Sequence, residues 1–261
     1  MHYLKPMLCL LAAASGAAVL NFGHSFGDPG VATQEEKRTE LNSMPLPIIA
    51  ILDGPSWRYD ESGVHGAHEK ALGALSGTRW KATDDLEPTH LTLYDITSNV
   101  ASRVDFGSEQ SILHQLSPSG GRPAQYCKPL LSSTHPSTTP QQLPGKHLLA
   151  VWVAVELGKK EMFVDWYEGE HMPMLEKVPG WLCGRLYTIS GDDSLGVHPE
   201  GRPEYHFLAL HQFSEGGFME TKELKASQNT PWMEKVVEHI TGKDLRLFER
   251  DIVYERITSR L

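Results

Sequence analysis

The densest run of chemically useful side chains lies between Phe163 and Pro173, FVDWYEGEHMP. As a helix at 100° per residue, it places Met162, Phe163, Trp166, Tyr167 and Met174 in one apolar arc. Glu170 then projects into the middle of that arc and His171 stands near its edge. A carboxylate so placed loses hydration, which favours its neutral form unless a cation or donor compensates. Glu170 with His171 alongside therefore suits general acid–base work near neutral pH. Pro173 would kink or break the helix beside them, because its ring crowds the carbonyl of Gly169. The plainer alternative makes Trp166 and Tyr167 core, pairs Glu170 with Arg185, and leaves His171 to hydrogen-bond the turn.

The chain carries 13 His, an enrichment that invites a chemical explanation because imidazole titrates near neutral pH and ligates metals. His206 and His211 differ by an odd number on one expected strand, so they point to opposite faces and do not share a metal. His211 falls on the face of Tyr205, Phe207 and Phe213, where it lines a cavity or packs as a satisfied core residue. His65 and His68, beside Glu69, match neither ordering of the zinc-protease motifs. No metal site is expected. Gly-rich phosphate loops, a nucleophile elbow and paired-Cys motifs are also missing, so nucleotide cofactors and acyl-serine chemistry lack support.

Composition narrows the class further. With 40% hydrophobic and 22% charged residues the chain reads as globular, and its 24 Lys plus Arg against 33 Asp plus Glu leave no basic face for nucleic acid. Its 3 Cys, at 9, 127 and 183, form neither a disulfide framework nor a metal knuckle. The apolar run Met7–Leu20 is too short to span a bilayer, so no stable membrane span is expected. That run reads either as a secretory signal or anchor, or as a dispensable leader of a cytoplasmic protein. Residues 1–43 as a whole, polar and Gly-containing after Asn21, are set apart from the fold.

The elements that must hold the His- and Glu-bearing helix follow from pattern. His147–Leu157 is a strand apolar on both faces, hence covered on both. A helix from Lys160 to about Lys177, ended by Pro179-Gly180, leads to strands Trp181–Ser190 and Glu204–Phe213. A helical stretch from about Phe218 to Ile240, interrupted at Pro231, precedes a last strand, Leu245–Ile257. The order β-α-β-β-α-β is the ferredoxin-like unit. Residues 44–117 repeat it more faintly: strands Pro47–Leu52, Thr78–Thr83 and Thr89–Ile96, with helices at His65–Ser76 and Ser108–Leu116. Setting Arg79 on Arg185 also sets His65 on His171, and LTLYDI falls beside LALHQF once an extra loop around Gly191–Gly201 is allowed. Residues 118–145, rich in Pro, Ser and Thr, read as linker and the end of the first repeat; 146–261 is the second. Two such sheets, each with one uncovered face, are expected to pack against each other as an intramolecular α/β barrel of α+β class, with room for a cavity between them.

The run WYEGEHMPMLEKVPGWLCGRLY, followed by YHFLALHQF, resembles the dimeric α/β-barrel superfamily, specifically EthD-like proteins and their tandem-repeat fungal relatives. The resemblance covers about Pro47 to Ile257 and is specific in the second half; Val64 stands in the first where the Glu would be. It implies a small-molecule enzyme or binding protein with its ligand between sheet and helices. Relatives include cofactor-free monooxygenases, polyketide cyclases, decarboxylases and dehydratases. Carried over, Glu170 and His171 become candidate proton donor and acceptor, and Arg185 a charge partner for Glu170 or an anionic oxygen. Trp166 and Tyr167 become pocket walls, with His211 and His65 as further ligand contacts. The expected activity is cofactor-independent acid/base chemistry on a phenolic or β-keto substrate. A non-catalytic ligand carrier or assembly module, and a haem-linked or oxygenating protein, are the alternatives; a further homodimer is left open.

Overall fold

The computed structural model describes residues 45–53, 74–96, 124–190 and 204–255. Four strands come from the first half: β1 (Ile48–Asp53), β2 (Ser76–Ala82), β3 (His90–Asp95) and β4 (Gln125–Thr134). Four come from the second: β5 (His147–Val155), β6 (Trp181–Ser190), β7 (Phe207–Phe213) and β8 (Ile240–Glu255). Of the helices expected over His65–Ser76 and Ser108–Leu116, only residues 74–76 fall among the described residues; none of these three is helical, and Ser76 already belongs to β2. The apolar run Met7–Leu20 and His65 lie outside the described residues.

The strands form one closed antiparallel barrel in the order β1-β3-β2-β8-β5-β7-β6-β4. Read as two halves, this is β4-β1-β3-β2 joined to β8-β5-β7-β6: the ferredoxin-like order, twice. The seams are β2 with β8 and β4 with β6. Among the described strands, closure within one chain leaves no open sheet edge. Within residues 118–145, expected to be linker and the end of the first repeat, β4 takes ten residues and pairs with both β1 and β6. Its Lys, Pro and Ser residues hid it, since an element at a seam is fixed by its partners more than by its own propensity.

Every strand contributes to the barrel interior. Ile48, Ala50, Trp80, Leu91, Cys127, Trp152, Tyr187, Leu208 and Phe248 belong to one buried cluster that spans both halves. Among the described residues the interior is thus packed with side chains, and the cavity described below lies on the outer face of the second half-sheet. β5 shows why both its faces are apolar: Leu148, Ala150 and Trp152 face inward, whereas Leu149, Val153 and Val155 face a helical layer outside. That layer comprises α1 (Lys160–Trp166), a π turn (Tyr167–His171), α2 (Met172–Leu175), α3 (Lys222–Ser227) and α4 (Pro231–Val237). Among the described residues no helix is long and apolar enough to cross a membrane.

Candidate functional site

A cavity of about 60 Å³ lies between the outer face of the second half-sheet and the helical layer, inside a concavity whose empty space, counted out through its mouth, is about 590 Å³. Its floor is Leu149, Val153, Ala209 and His211; its walls include Phe163, Trp166, Tyr167 and His171; Met233 and Lys243 stand among the residues that close it.

The π turn decides which side chains reach the cavity. Pro173 has no N–H and crowds the turn before it, and the helix answers by widening: the Met172 N–H donates to the Tyr167 carbonyl, five residues back. The helix neither kinks off nor breaks. A five-residue turn takes less rotation per residue than an α-turn, so positions late in it swing relative to the 100° projection. His171 moves from the edge of the apolar arc to the cavity wall, and Glu170 moves off it. This reverses the expected placement of the pair.

Glu170 is half-buried, and its Oε2 accepts hydrogen bonds from Trp166 Nε1 at 3.1 Å and Thr230 Oγ1 at 2.5 Å. Thr230 is the N-cap of α4, where its hydroxyl oxygen also accepts from the Met233 N–H at 3.0 Å. Glu170 therefore ties the π turn to the start of α4, and its carboxylate does not face a dry space shared by the two halves. Arg185 is not its partner. Alternation along β6 puts Gly184 and Leu186 on the helical side and Arg185 with Tyr187 on the inner side, so Arg185 and the cavity lie on opposite faces of the sheet. Burial opposes its charge there, but the Tyr187 phenol, the Cys183 thiol and Asp95 from the other half outweigh it and raise its pKa.

Three residues form a relay behind the cavity. The Trp181 indole N–H donates to His211 Nδ1 at 3.3 Å, and His211 Nε2 meets Tyr167 Oη at 2.5 Å. Burial in apolar surroundings, with His171 nearby, pulls the His211 pKa down to about 3, so its ring is neutral. A neutral imidazole that accepts at Nδ1 carries its proton on Nε2, which therefore donates to the Tyr167 oxygen. The hydroxyl proton of Tyr167 is left with no acceptor among the described residues, on a side chain that lines the cavity. Burial pushes the Tyr167 pKa well above the ordinary phenol value, so that proton stays in place.

His171 stacks on Trp166 with ring centroids 4.4 Å apart and meets Tyr167 edge-on at 5.1 Å. Loss of hydration pulls its pKa down to about 4; the Ser227 backbone works the other way and the Lys243 ammonium adds to the depression. Its Nδ1 is sealed from solvent with no hydrogen-bond partner among the described residues. An imidazole held neutral keeps one nitrogen as a proton acceptor.

Two glycines make the relay fit. Gly180, at φ +78°, turns the chain into β6 and so presents Trp181. Gly184 lies opposite His211 in the ladder, where a Cβ would stand 2.7 Å from His211 Nδ1 and 2.6 Å from Met172 Sδ. The structure thus brings Trp166, Tyr167, His171 and His211 together, sets Glu170 beside them as a tie, and places Arg185 elsewhere. Trp181, Gly184 and Lys243 were missed; only the PGW turn signalled any of them. Among the described residues no cluster of three or more His, Cys, Asp or Glu side chains is arranged to hold a metal.

No protein-family model matches the chain, and no curated protein matches it. Solved structures do. An anthrone oxidase-like protein superposes with a TM-score of 0.53 at 12% identity, over 84% of this chain and 98% of its own. A monooxygenase-like protein from Listeria innocua gives 0.43 at 10% identity, over 79% and 95% of the two chains. A haem-degrading enzyme from Listeria monocytogenes gives 0.43 at 9%, over 78% and 99%. At these identities the likeness is one of fold: this chain folds as a ferredoxin-like α+β barrel, built here from two halves of a single polypeptide.

Proposed function

We propose that the protein is a small-molecule enzyme of secondary, polyketide-type metabolism that moves protons on a phenolic or β-keto substrate without a bound cofactor, by cyclisation, decarboxylation or dehydration. One observation carries the reading: an apolar cavity is lined at once by a hydroxyl with a proton to give and a neutral imidazole with a nitrogen to spare. His171 takes a proton from carbon or oxygen beside a carbonyl, and the Tyr167 hydroxyl donates to the oxygen on which negative charge develops. His211 and Trp181 hold that hydroxyl in its donating sense. A base as weak as His171 works only because the charge it creates is met by a donor already in place. Glu170, the acid expected from sequence, serves as structural support.

Anthrones, which the name of one similarly folded protein mentions, are carbon acids of this kind. A cavity of about 60 Å³ is smaller than the ~150 Å³ that admits a benzene ring, so Met233 and its neighbours on α3 and α4 must move to seat one. The haem-linked alternative fares worse, since a porphyrin is larger still. The carrier alternative keeps the same wall and drops the proton transfer. The test is hydrogen–deuterium exchange at the acidic carbon of anthrone in D₂O under nitrogen, followed by mass spectrometry. The wild-type chain should exceed the buffer rate, and His171→Ala and Tyr167→Phe should lose about a hundredfold of that excess, with melting little changed. Binding without exchange, or undiminished exchange in both variants, sinks the reading; oxygen uptake on admitting air would instead favour a cofactor-free monooxygenase.

A further inference from the structure

Among the described residues, the cavity lining carries a single formal charge: Lys243 is the one Lys or Arg there, and no described Asp or Glu joins it. This is a lone cation in a chain whose formal charge is −9. Its place in the sheet is unusual in the same way. On β8 the residues facing the helical layer are Leu247, Leu245 and Lys243, and the two leucines pack on the outer core as their pattern demands. Lys243 breaks that apolar row where the row passes the cavity, opposite Val153 of the floor. It forms no ion pair or hydrogen bond among the described residues. Apart from the backbone, the uncharged polar groups that share the described lining with it are Gln228, Tyr167, the Trp166 indole N–H and the two imidazoles.

Resting on the proton-transfer reading and narrowing it, we propose that the substrate is an anion: an aromatic or β-keto molecule whose carboxylate or acidic phenolate oxygen seats on Lys243 Nζ while its apolar body lies against Val153, Phe163 and Trp166. Lys243 stands at the mouth, where water reaches it, so it captures the charged end of a ligand whose other end enters the cavity. The same contact helps the base. The ammonium field weakens His171 as a proton acceptor, and an oxyanion on Lys243 offsets that field, so the ligand strengthens the base that acts on it. Arg185, expected from sequence to meet an anionic oxygen, is on the far face of β6; Lys243 takes over that task from the other edge of the half-sheet.

The experiment compares 1-naphthoate with its neutral isostere 1-naphthamide, binding each to the full chain by tryptophan fluorescence with calorimetric confirmation. The expected result is about tenfold tighter binding of the carboxylate, the ratio a charge-assisted hydrogen bond supports, shrinking as salt is raised. Lys243→Met should bring the two affinities together by weakening the carboxylate alone, and Lys243→Arg should restore the preference. Equal affinities for wild type, binding of neither compound, or a preference that survives Lys243→Met overturns the proposal. The proton-transfer reading is judged separately by anthrone exchange: charge-selective binding without exchange defeats that reading and leaves the anion site, whereas exchange without charge selectivity does the reverse.

Discussion

The two halves share one device and use it differently. In the first, Gly77 of β2 lies opposite Tyr94 of β3; in the second, Gly184 of β6 lies opposite His211 of β7. Each glycine makes room for a ring on the outer face of its half-sheet, with Tyr94 fully buried and His211 1% exposed. Tyr94 is core, packed with Ile49, Ile51 and Tyr126. His211 has instead been wired to Trp181 and Tyr167, and the surrounding packing leaves a cavity. Similar strand pairs thus hold rings of different chemistry: a phenol packed with Ile49, Ile51 and Tyr126 in the first half, and an imidazole hydrogen-bonded at both nitrogens beside a cavity in the second.

The comparison also corrects an alignment. Pairing Gly77 with Gly184 shifts β2 by one residue from the match that set Arg79 on Arg185. A one-residue slip changes every side chain's face. Arg79 shares the outward row with Gly77 and pairs with Asp251 at 3.8 Å, whereas Arg185 points inward. The two arginines are not equivalents, which removes one of the matches that tied a vanished first-half site to the second.

The largest effect is expected from His211→Tyr, which copies the first-half pair into the second. A phenol has one oxygen where the imidazole uses two separate nitrogens, so it does not span Trp181 and Tyr167 in the same geometry, and anthrone exchange should fall by about a hundredfold; exchange near the wild-type rate would mean that the ring identity is immaterial. Next, an added methyl should hurt Gly184 more than Gly77, because its nearest contact is 2.6 Å in one and 3.0 Å in the other. Gly184→Ala should cost about 1–3 kcal/mol by overpacking and Gly77→Ala less, as read by chemical denaturation; the opposite ranking would show that the second half yields more easily.

A third difference appears with acid. Unfolded, His171 and His211 bind protons below about pH 6.5; folded, they resist until about 4 and 3. Folded pKa values below the unfolded one mean stability that is full above about pH 6.5 and is lost as pH falls toward those values. Melting temperature should therefore decline with acidification, and His171→Gln with His211→Gln should flatten the decline; an unchanged slope in the double variant would assign it to the carboxylates. The smallest effect is expected from Thr230→Val, which removes the α4 cap and one tie to Glu170. It should cost about 1 kcal/mol, or ~2–4 °C in melting, while exchange stays near wild type. A collapse of exchange would restore Glu170 to the chemistry.

Much of the architecture could be read without coordinates because its signals are local. Alternation, apolar runs and Pro-Gly stops located β1, β2, β3, β5, β6 and β7 within a few residues, and two-sided greasiness showed that β5 is covered on both faces. β4 escaped because a seam strand of mixed composition is specified by β1 and β6 on either side of it. At the site, His171 and His211 were picked out by type and spacing, Trp166 and Tyr167 became pocket walls only through the family resemblance, and the structure gathers the four. Glu170 and Arg185 were misplaced, each by a rotation: one about a helix axis, one across a sheet.

By itself, then, the sequence determined most of the strands, the order of elements in the second half and the run in which candidate chemistry is concentrated, since these depend on residues close together in the chain. Tertiary structure alone decided which sides they show each other. A π turn of one extra residue chose His171 over Glu170, and strand register sent Arg185 inward and Lys243 to the cavity mouth. Register and helix phase are settled by contacts between distant segments, where moving by a single residue costs little locally and changes every neighbour.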